Sequence, residues 1–567
     1  MSSYDLQQLT AAFESEGFKV VNNVRWNGKL GVAAEHGTAF SGGDPQKPKK
    51  AFYLEGTHRE MGHLLGLMAE EDIREMATHF VDNMVWELFF WHPRAKADPH
   101  DDHETDIMTT IKAALGEMFA RLIAVFTQPV APGAAPAHLV PPEYLQEIDG
   151  ILDGCRAANP DTGVNKKDLL VLNFGIDWFL GNVYSMGGIF KTLRRSVMCN
   201  GFSLSKAAAG NEHFFGRDFM FPTAGIFGER ACHIIGNPED PGAPNRLPFV
   251  SLTAPGMVGS VTGMNRRGVA IGVEVVPSMA ADVRKVGLNS LVLNRDVVER
   301  AADADAAVAV IINAPRTVPW IYIVADGTTD KACVVETVDA RDQIDFVSFP
   351  PKKYVKKCLF NRHPPLPGRS FLASHSTASQ NLGVMVRGAD YAYHPAYLDF
   401  NESLFGRLGG TLVPNALDEY GHFNETYEDA NCPGPFYFPP QRESRDDVVL
   451  TTNHFVIPEM RYTSMHPWLK TIFGKLIQDS QWRYDALNKR ILDELAAAGS
   501  AGIRYTTAKE ILKFISPDGQ YPGYFGVDAD IIEGAQSLCD LKNLTIESHY
   551  GHYSDDWVML SLKKYVP

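Results

Sequence analysis

The sequence predicts an α/β protein of the α+β type, a layered sandwich, on three observations. The first third carries long runs with apolar residues at three-to-four spacing. After Cys199 the period shortens, and β-rich runs follow one another. Two more helical runs and further strands then close the pattern, as packed layers of helix and sheet require.

The elements follow in order. The N-terminal MSSYDLQQLTAAFESEGF reads as a short amphipathic helix; it lacks a basic n-region and an apolar h-region, which predicts no secretory signal and a cytoplasmic protein. Residues 61–91 and 106–127 keep helical spacing, and the polar run Pro99–Glu104 between them reads as a solvated acidic loop despite its metal-ligand residue types. The aromatic run Trp86–Trp91 reads as helix core. Gln128–Pro136 is a Pro/Ala/Gly connector, after which helical spacing returns over 143–155 and 167–185. The β-rich runs are His213–Phe221, Ala231–Ile235, Phe249–Thr253 and Gly268–Val276. Helices are expected over Leu291–Ala301 and Ala304–Asn313, then strands over Trp320–Ala325 and Ala332–Glu336. Residues 362–445 carry no legible period. Val448–Thr452 reads as a strand, 466–515 as helix and Trp557–Leu562 as a closing strand.

Composition bounds the function. In 567 residues, 45% hydrophobic and 21% charged, there is ample material for a core. A formal net charge of −15 disfavours a phosphate-binding face, so no nucleic-acid partner is expected. No stretch approaches the ~20 consecutive apolar residues of a spanning helix. The seven cysteines (155, 199, 232, 333, 358, 432 and 539) include no CxxC pair. Their odd number predicts reduced thiols and argues against zinc or iron–sulfur sites. Packing in the interior accounts for Cys155, Cys333 and Cys358.

Cys199 stands apart. It lies in Ser196-Val-Met-Cys199-Asn-Gly-Phe202, and His213-Phe-Phe-Gly216-Arg217-Asp218-Phe219-Met220-Phe221 follows shortly. A thiol attacks as its thiolate, and at a pKa of ~8.5 it needs a base. An α-amino group, with a pKa of ~7.7–8.0, can serve as that base from the same residue. Cys199 acquires such an amine only if the Met198–Cys199 bond is cut. The alternative is a buried strand thiol.

In these segments the chain resembles the acyl-coenzyme A:6-aminopenicillanic acid acyltransferase family of N-terminal-nucleophile hydrolases, related to choloylglycine hydrolases and phospholipase B-like proteins. Leu54-Glu-Gly56-Thr57-His-Arg59-Glu60-Met61-Gly62-His63 resembles the family's early Gly-Thr segment. Glu147-Ile-Asp-Gly150-Ile-Leu-Asp-Gly154 resembles its Glu-x-x-Gly-x-x-x-Gly helix, and Asn173 the segment before the nucleophile. Gly216-Arg217-Asp218-Phe219, Gly263-Met264-Asn265 through Gly268-Val269-Ala270, and Thr451-Thr452-Asn453-His454-Phe455 follow in the family's order.

The resemblance implies a four-layer αββα sandwich with a helical N-terminal segment, and acyl transfer through a thioester on Cys199. It implies that Arg217 depresses the thiol pKa or holds a carboxylate, and that the Asn453 amide helps bind the oxyanion. Two positions depart from the family pattern. Met220 stands where the family has Asp, so Asp218, on the same strand face, is the expected substitute. The family Asn after Gly-Val/Leu-Ala falls near Glu274 or Val275. The implied organisation is an α segment, 1–198, and a β segment, 199–567, within one catalytic fold. The expected enzyme is an autoprocessed amidohydrolase or N-acyltransferase that requires no cofactor or metal. Its expected partner is a small-molecule acyl donor, an acyl-CoA or an N-acyl amine, and a homo-oligomer is compatible with it. The alternatives are a phospholipase B-like lipid hydrolase and a catalytically silent binding protein on the same fold.

Overall fold

A computed structural model of the chain describes residues 5–37, 48–90, 102–129, 135–186, 198–339, 383–389, 445–457, 469–514, 531–552 and 557–566, less a few single positions and short gaps, together with Met460. Helix α1 (Leu6–Glu14) opens on a capping box between Asp5 and Gln8. Three strands follow before the long helices: β1 (Lys19–Trp26), β2 (Lys29–His36) and β3 (Lys49–Gly56). The first third is mostly helical as expected, but these three strands are an addition that the periodicity does not predict. β1 is exposed or half-buried at every residue, and β3 is buried at nearly every one. Neither shows the alternation that marks a half-buried strand.

Ten strands form the first sheet, in the order β1-β2-β3-β6-β7-β8-β9-β10-β11-β12. The added members are β6 (Cys232–Pro238), β7 (Phe249–Thr253), β8 (Thr262–Asn265), β9 (Val269–Val275), β10 (Trp320–Asp326), β11 (Lys331–Thr337) and β12 (Val384–Gly388). All neighbours are antiparallel except β3 and β6. A six-stranded sheet runs β13-β4-β5-β16-β17-β18, built from β13 (Val448–Thr451), β4 (Met198–Leu204), β5 (Phe214–Met220), β16 (Ile531–Asp540), β17 (Thr545–His552) and β18 (Val558–Ser561). A hairpin of β14 (Leu469–Ile472) and β15 (Lys475–Gln478) replaces the first part of the helix expected over 466–515. That helix resolves into α10 (Asp479–Ala498) and α11 (Tyr505–Phe514).

Helices cover both outer faces. α2 (His58–Met68) lies on β1–β3 with α5 (Pro142–Ala158) packed on it, while α8 (Ser290–Arg300) and α9 (Ala304–Asn313) cover β8–β11. α10 and α11 cover β4, β5, β13 and β16. The order helix, sheet, sheet, helix is the expected four-layer sandwich. Further helices, α3 (Glu70–Phe90), α4 (Asp102–Thr127), α6 (Lys166–Met186) and the short α7 (Ile226–Arg230), pack against one another. The run expected as one helix over 61–91 breaks at Ala69, between α2 and α3. Asp102, His103 and Glu104 belong to α4 rather than to a loop. Trp91, Pro99–Asp101, Cys358, Cys432 and most of 362–445 lie outside the described residues, as do the side chains of residues 86–90.

The glycine spacings acquire a physical meaning where α2 crosses α5. A Cβ added at Gly62 would sit 2.1 Å from the Glu147 carbonyl oxygen, at Gly150 2.2 Å from that of Arg59, and at Gly154 2.2 Å from that of His63. These obstacles are backbone atoms, so a methyl group must push the helices apart. Gly150→Ala is expected to lower stability by about 1–3 kcal/mol in denaturant titrations. Gly116→Ala, on α4 where no atom stands within 4 Å of the added Cβ, is expected to be neutral or stabilising. Equal responses at the two sites would contradict this account. Beside the crossing, Glu147 joins a buried ionic cluster with His58, Arg295 and Glu299. Burial works against the His58 charge, but the carboxylates of Glu299, Asp240 and Glu147 outweigh it and push its pKa up to about 10.

Candidate active site

The site forms where β4, β5 and β13 of the smaller sheet face β9 of the larger one. Alternation along β4 and β5 separates two faces. Phe202, Leu204 and Phe214 pack with Leu487, Ile491, Ile511 and Leu512 of the outer helices. Cys199, Phe215 and Phe219 belong instead to the main core between the layers. The Cys199 side chain therefore points toward the ten-stranded sheet, on the face shared with Arg217.

Antiparallel pairing sets Thr451 opposite Gly201. Continuing that register brings Asn453, just beyond the end of β13, to Cys199. The Cys199 N–H donates to Asn453 Oδ1 at 2.6 Å, and Asn453 Nδ2 donates to the Val275 carbonyl at 2.8 Å. An amide NH₂ carries two protons, so the second is available in principle to another acceptor.

Arg217 is fully buried. Its guanidinium donates to the backbone carbonyls of Asp218 and Val273, and its Nε lies 3.3 Å from Glu274 Oε1. Glycines make the room: a Cβ at Gly272 would sit 2.6 Å from Arg217 Cδ, and one at Gly201 3.0 Å from Glu274 Oε1. Burial opposes the Arg217 charge, but Glu274 and Cys199, which shares its sheet face, outweigh it and raise its pKa. Arg217 thus shares a sheet face with Cys199 and faces the Glu274 carboxylate.

Asp218 sits on the opposite face of β5. It pairs in register with Asn200, not Cys199, and accepts from Asn200 Nδ2 at 3.1 Å, with Gln536 across from it on β16. The expected substitution of Asp218 for a carboxylate at position 220 does not place it on the Cys199 nitrogen in this arrangement, because Asn453 holds that N–H. Burial pushes the Asp218 pKa up to about 7 against the pull of Asn200, Arg217 and Arg483.

Arg483, on α10, is the residue that the sequence did not mark. Its Nη1 donates to the Cys199 carbonyl at 2.7 Å and to Asn200 Oδ1 at 2.5 Å, and its Nη2 to Asn453 Oδ1 at 2.9 Å. Asp218, Asn200, Arg483 and Asn453 thus form a continuous chain of hydrogen bonds around the Cys199 backbone. No local pattern in Gln481-Trp-Arg483-Tyr-Asp485 distinguishes this arginine from a surface one.

Glu274 lies near the position where the family pattern has Asn. Burial pushes its pKa up to about 7, while Arg217, Arg387 and Arg483 pull it down. The folded state therefore binds a proton that the unfolded chain, titrating near 4.5, releases earlier. The stability that this proton contributes is full below pH 4.5 and declines as pH rises through about 7. Glu274→Gln removes the titration, so the melting temperature of the variant relative to the parent is expected to rise across that window. A pH-independent difference between the two would contradict this assignment.

Among the described residues no group of three or more His, Cys, Asp or Glu could hold a metal ion. No helix among them is long and apolar enough to cross a membrane. The described cysteines, Cys155, Cys199, Cys232, Cys333 and Cys539, are free and buried.

Comparison with known proteins finds similarity in part of the chain. Residues 237–348 match the sequence model of the acyl-coenzyme A:6-aminopenicillanic acid acyl-transferase family. The likeness to that family is thus confined to 112 residues of the larger sheet and its covering helices. The matched segment contains β7–β11 with Glu274 and Glu336, and leaves Cys199, Arg217 and Asn453 outside it. An uncharacterized protein of Archaeoglobus fulgidus is 27% identical over 514 residues, which are 90% of this chain. The chain spans 65% of that relative's length. Similar solved structures include the Caenorhabditis elegans ortholog of N-acylethanolamine-hydrolyzing acid amidase, at 11% identity over 60% of this chain and 93% of that one, TM-score 0.30. Another is a mutant of conjugated bile acid hydrolase from Clostridium perfringens, at 11% identity over 65% of this chain and 93% of that one, TM-score 0.32.

Proposed function

We propose that the chain is an autoprocessed N-terminal-nucleophile enzyme that transfers an acyl group from a non-peptide amide or thioester through Cys199. One observation carries this reading: the backbone nitrogen that scission would turn into the catalytic amine is held by Asn453 at 2.6 Å, while the thiol of the same residue lies beside the Arg217 guanidinium. Maturation begins with attack of Cys199 Sγ on the Met198 carbonyl carbon. The C–N bond breaks as the acyl group moves to sulfur, and water hydrolyses the resulting thioester. Residues 1–198 and 199–567 then remain associated as the α and β parts of one sandwich.

In turnover the α-amine of Cys199 accepts the thiol proton, and the thiolate attacks the acyl carbon. Asn453 Nδ2 and backbone amides stabilise the oxyanion. Collapse expels the amine or thiol leaving group, which takes the proton from the α-ammonium. Water or an amine acceptor then cleaves the Cys199 thioester and restores the thiol. Asp218 acts at one remove by fixing Asn200 and, through it, Arg483. No step requires a metal or organic cofactor.

The reading is tested by incubating the purified protein with a panel of acyl-amides and acyl-thioesters. Released amine or thiol is measured, and the acyl adduct is located by peptide mapping. An adduct on Cys199 is the expected result. Turnover with the adduct on another residue would overturn the proposal.

A further inference from the structure

The oxyanion residue of the proposed mechanism lies just beyond the end of a strand. β13 ends at Thr451, paired with Gly201, so Asn453 and the residues after it leave the six-stranded sheet. Two buried side chains of the other sheet meet this segment. Glu336 on β11 and Arg387 on β12 lie on one sheet face, since Arg387 pairs in register with Val334, two residues from Glu336. They are 0% and 3% exposed, and Arg387 Nε donates to Glu336 Oε1 at 3.1 Å.

From there the pair grips the main chain on both sides of Asn453. Arg387 Nη2 donates to the Leu450 carbonyl at 2.8 Å, three residues before it. Glu336 Oε1 accepts the Val456 N–H at 2.8 Å, three residues after it, and Oε2 accepts the Ile457 N–H at 3.1 Å. A carboxylate that takes two successive backbone N–H groups fixes the course of this segment, and charge-assisted bonds of this kind are short and directional.

We infer that Glu336 and Arg387 are positioning residues that hold Asn453 against Cys199 from the opposite sheet. They touch neither substrate nor sulfur. They act by fixing the backbone from which the Asn453 amide reaches the Cys199 nitrogen and the developing oxyanion. The inference rests on the function proposed above, because it assigns the pair to the oxyanion step of that reaction.

Two reagents separate the effects. p-Nitrophenyl acetate acylates a thiol through a tetrahedral oxyanion, whereas iodoacetamide alkylates it by displacement at a saturated carbon, with no such intermediate. Glu336→Gln keeps the shape but turns an NH₂ group toward Val456 N–H, Ile457 N–H or Arg387. Acylation of Cys199 by p-nitrophenyl acetate is expected to slow by about ten- to a hundredfold, the usual cost of an ångström-scale misplacement. Alkylation by iodoacetamide is expected to stay within about twofold. If Glu336→Gln does not fold, Arg387→Lys, which keeps the charge and loses the fork, is expected to show the same split.

Acylation unchanged in a folded variant, or both reactions falling together, would overturn the inference. Wild-type protein that is alkylated at Cys199 but takes no acyl group contradicts the proposed function itself, and the inference with it.

Discussion

Cys199→Ala is expected to leave the chain uncut at Met198–Cys199 and to abolish acyl adduct formation. The two losses share one cause. Scission and turnover both begin with attack by the same sulfur, and no other described cysteine stands beside Arg217 or has its backbone nitrogen held by Asn453. The variant is expected to fold, since alanine occupies the Cys199 position without a new clash and every hydrogen bond to its backbone persists. Cys199→Ser is the informative companion: a hydroxyl retains shape and polarity but is a far weaker nucleophile at neutral pH, so slowed scission is expected. Mass spectrometry of both variants beside the parent checks the result. Fragments that still begin at residue 199 in the alanine variant would assign the cut to another protease.

Asn453→Ala carries the second largest effect. It removes an oxyanion donor, worth about 10²–10³ in rate, and acylation of Cys199 is expected to fall by that factor. It also strips the acceptor from the Cys199 N–H and from Arg483 Nη2, both buried. An unsatisfied buried donor costs about 1–3 kcal/mol, so a lower melting temperature is expected as well. Asn453→Asp separates the two roles. The carboxylate still accepts from Cys199 and Arg483, but it offers no NH₂ to an oxyanion or to the Val275 carbonyl. Its acylation rate is expected to fall as in Asn453→Ala, with Cys199 alkylation by iodoacetamide less affected. Acylation at the parent rate in both variants would remove Asn453 from the mechanism.

The legible part of the molecule was the part whose physics is local. β7 and α9 begin and end where their patterns do, and the bounds of β9, β10 and α8 fall within a residue of theirs. Gly150 and Gly154 stood out by spacing, and the α2–α5 crossing supplies the reason. What stayed hidden depends on partners distant in sequence. β1 is an edge strand with little apolar pattern, and β16 and β17 earn their places through pairing with β5 and with each other. Arg483 looks like an ordinary helix arginine until α10 settles on the six-stranded sheet, 284 residues from the carbonyl it binds. Glu336 and Arg387 are separated by 51 residues, and only the pairing of β11 with β12 brings them together. Asp218 shows the opposite limit. Its place on the same strand face as position 220 follows from alternation, but only the register reveals that this face looks away from the Cys199 thiol.

Every turnover step proposed for Cys199 depends on the amine that scission must give this residue. Intact-mass analysis with N-terminal sequencing of freshly purified protein tests it most directly. The expected result is two associated chains, one of them beginning Cys199-Asn200-Gly201. A single uncut chain that nonetheless turns over an acyl substrate would contradict it.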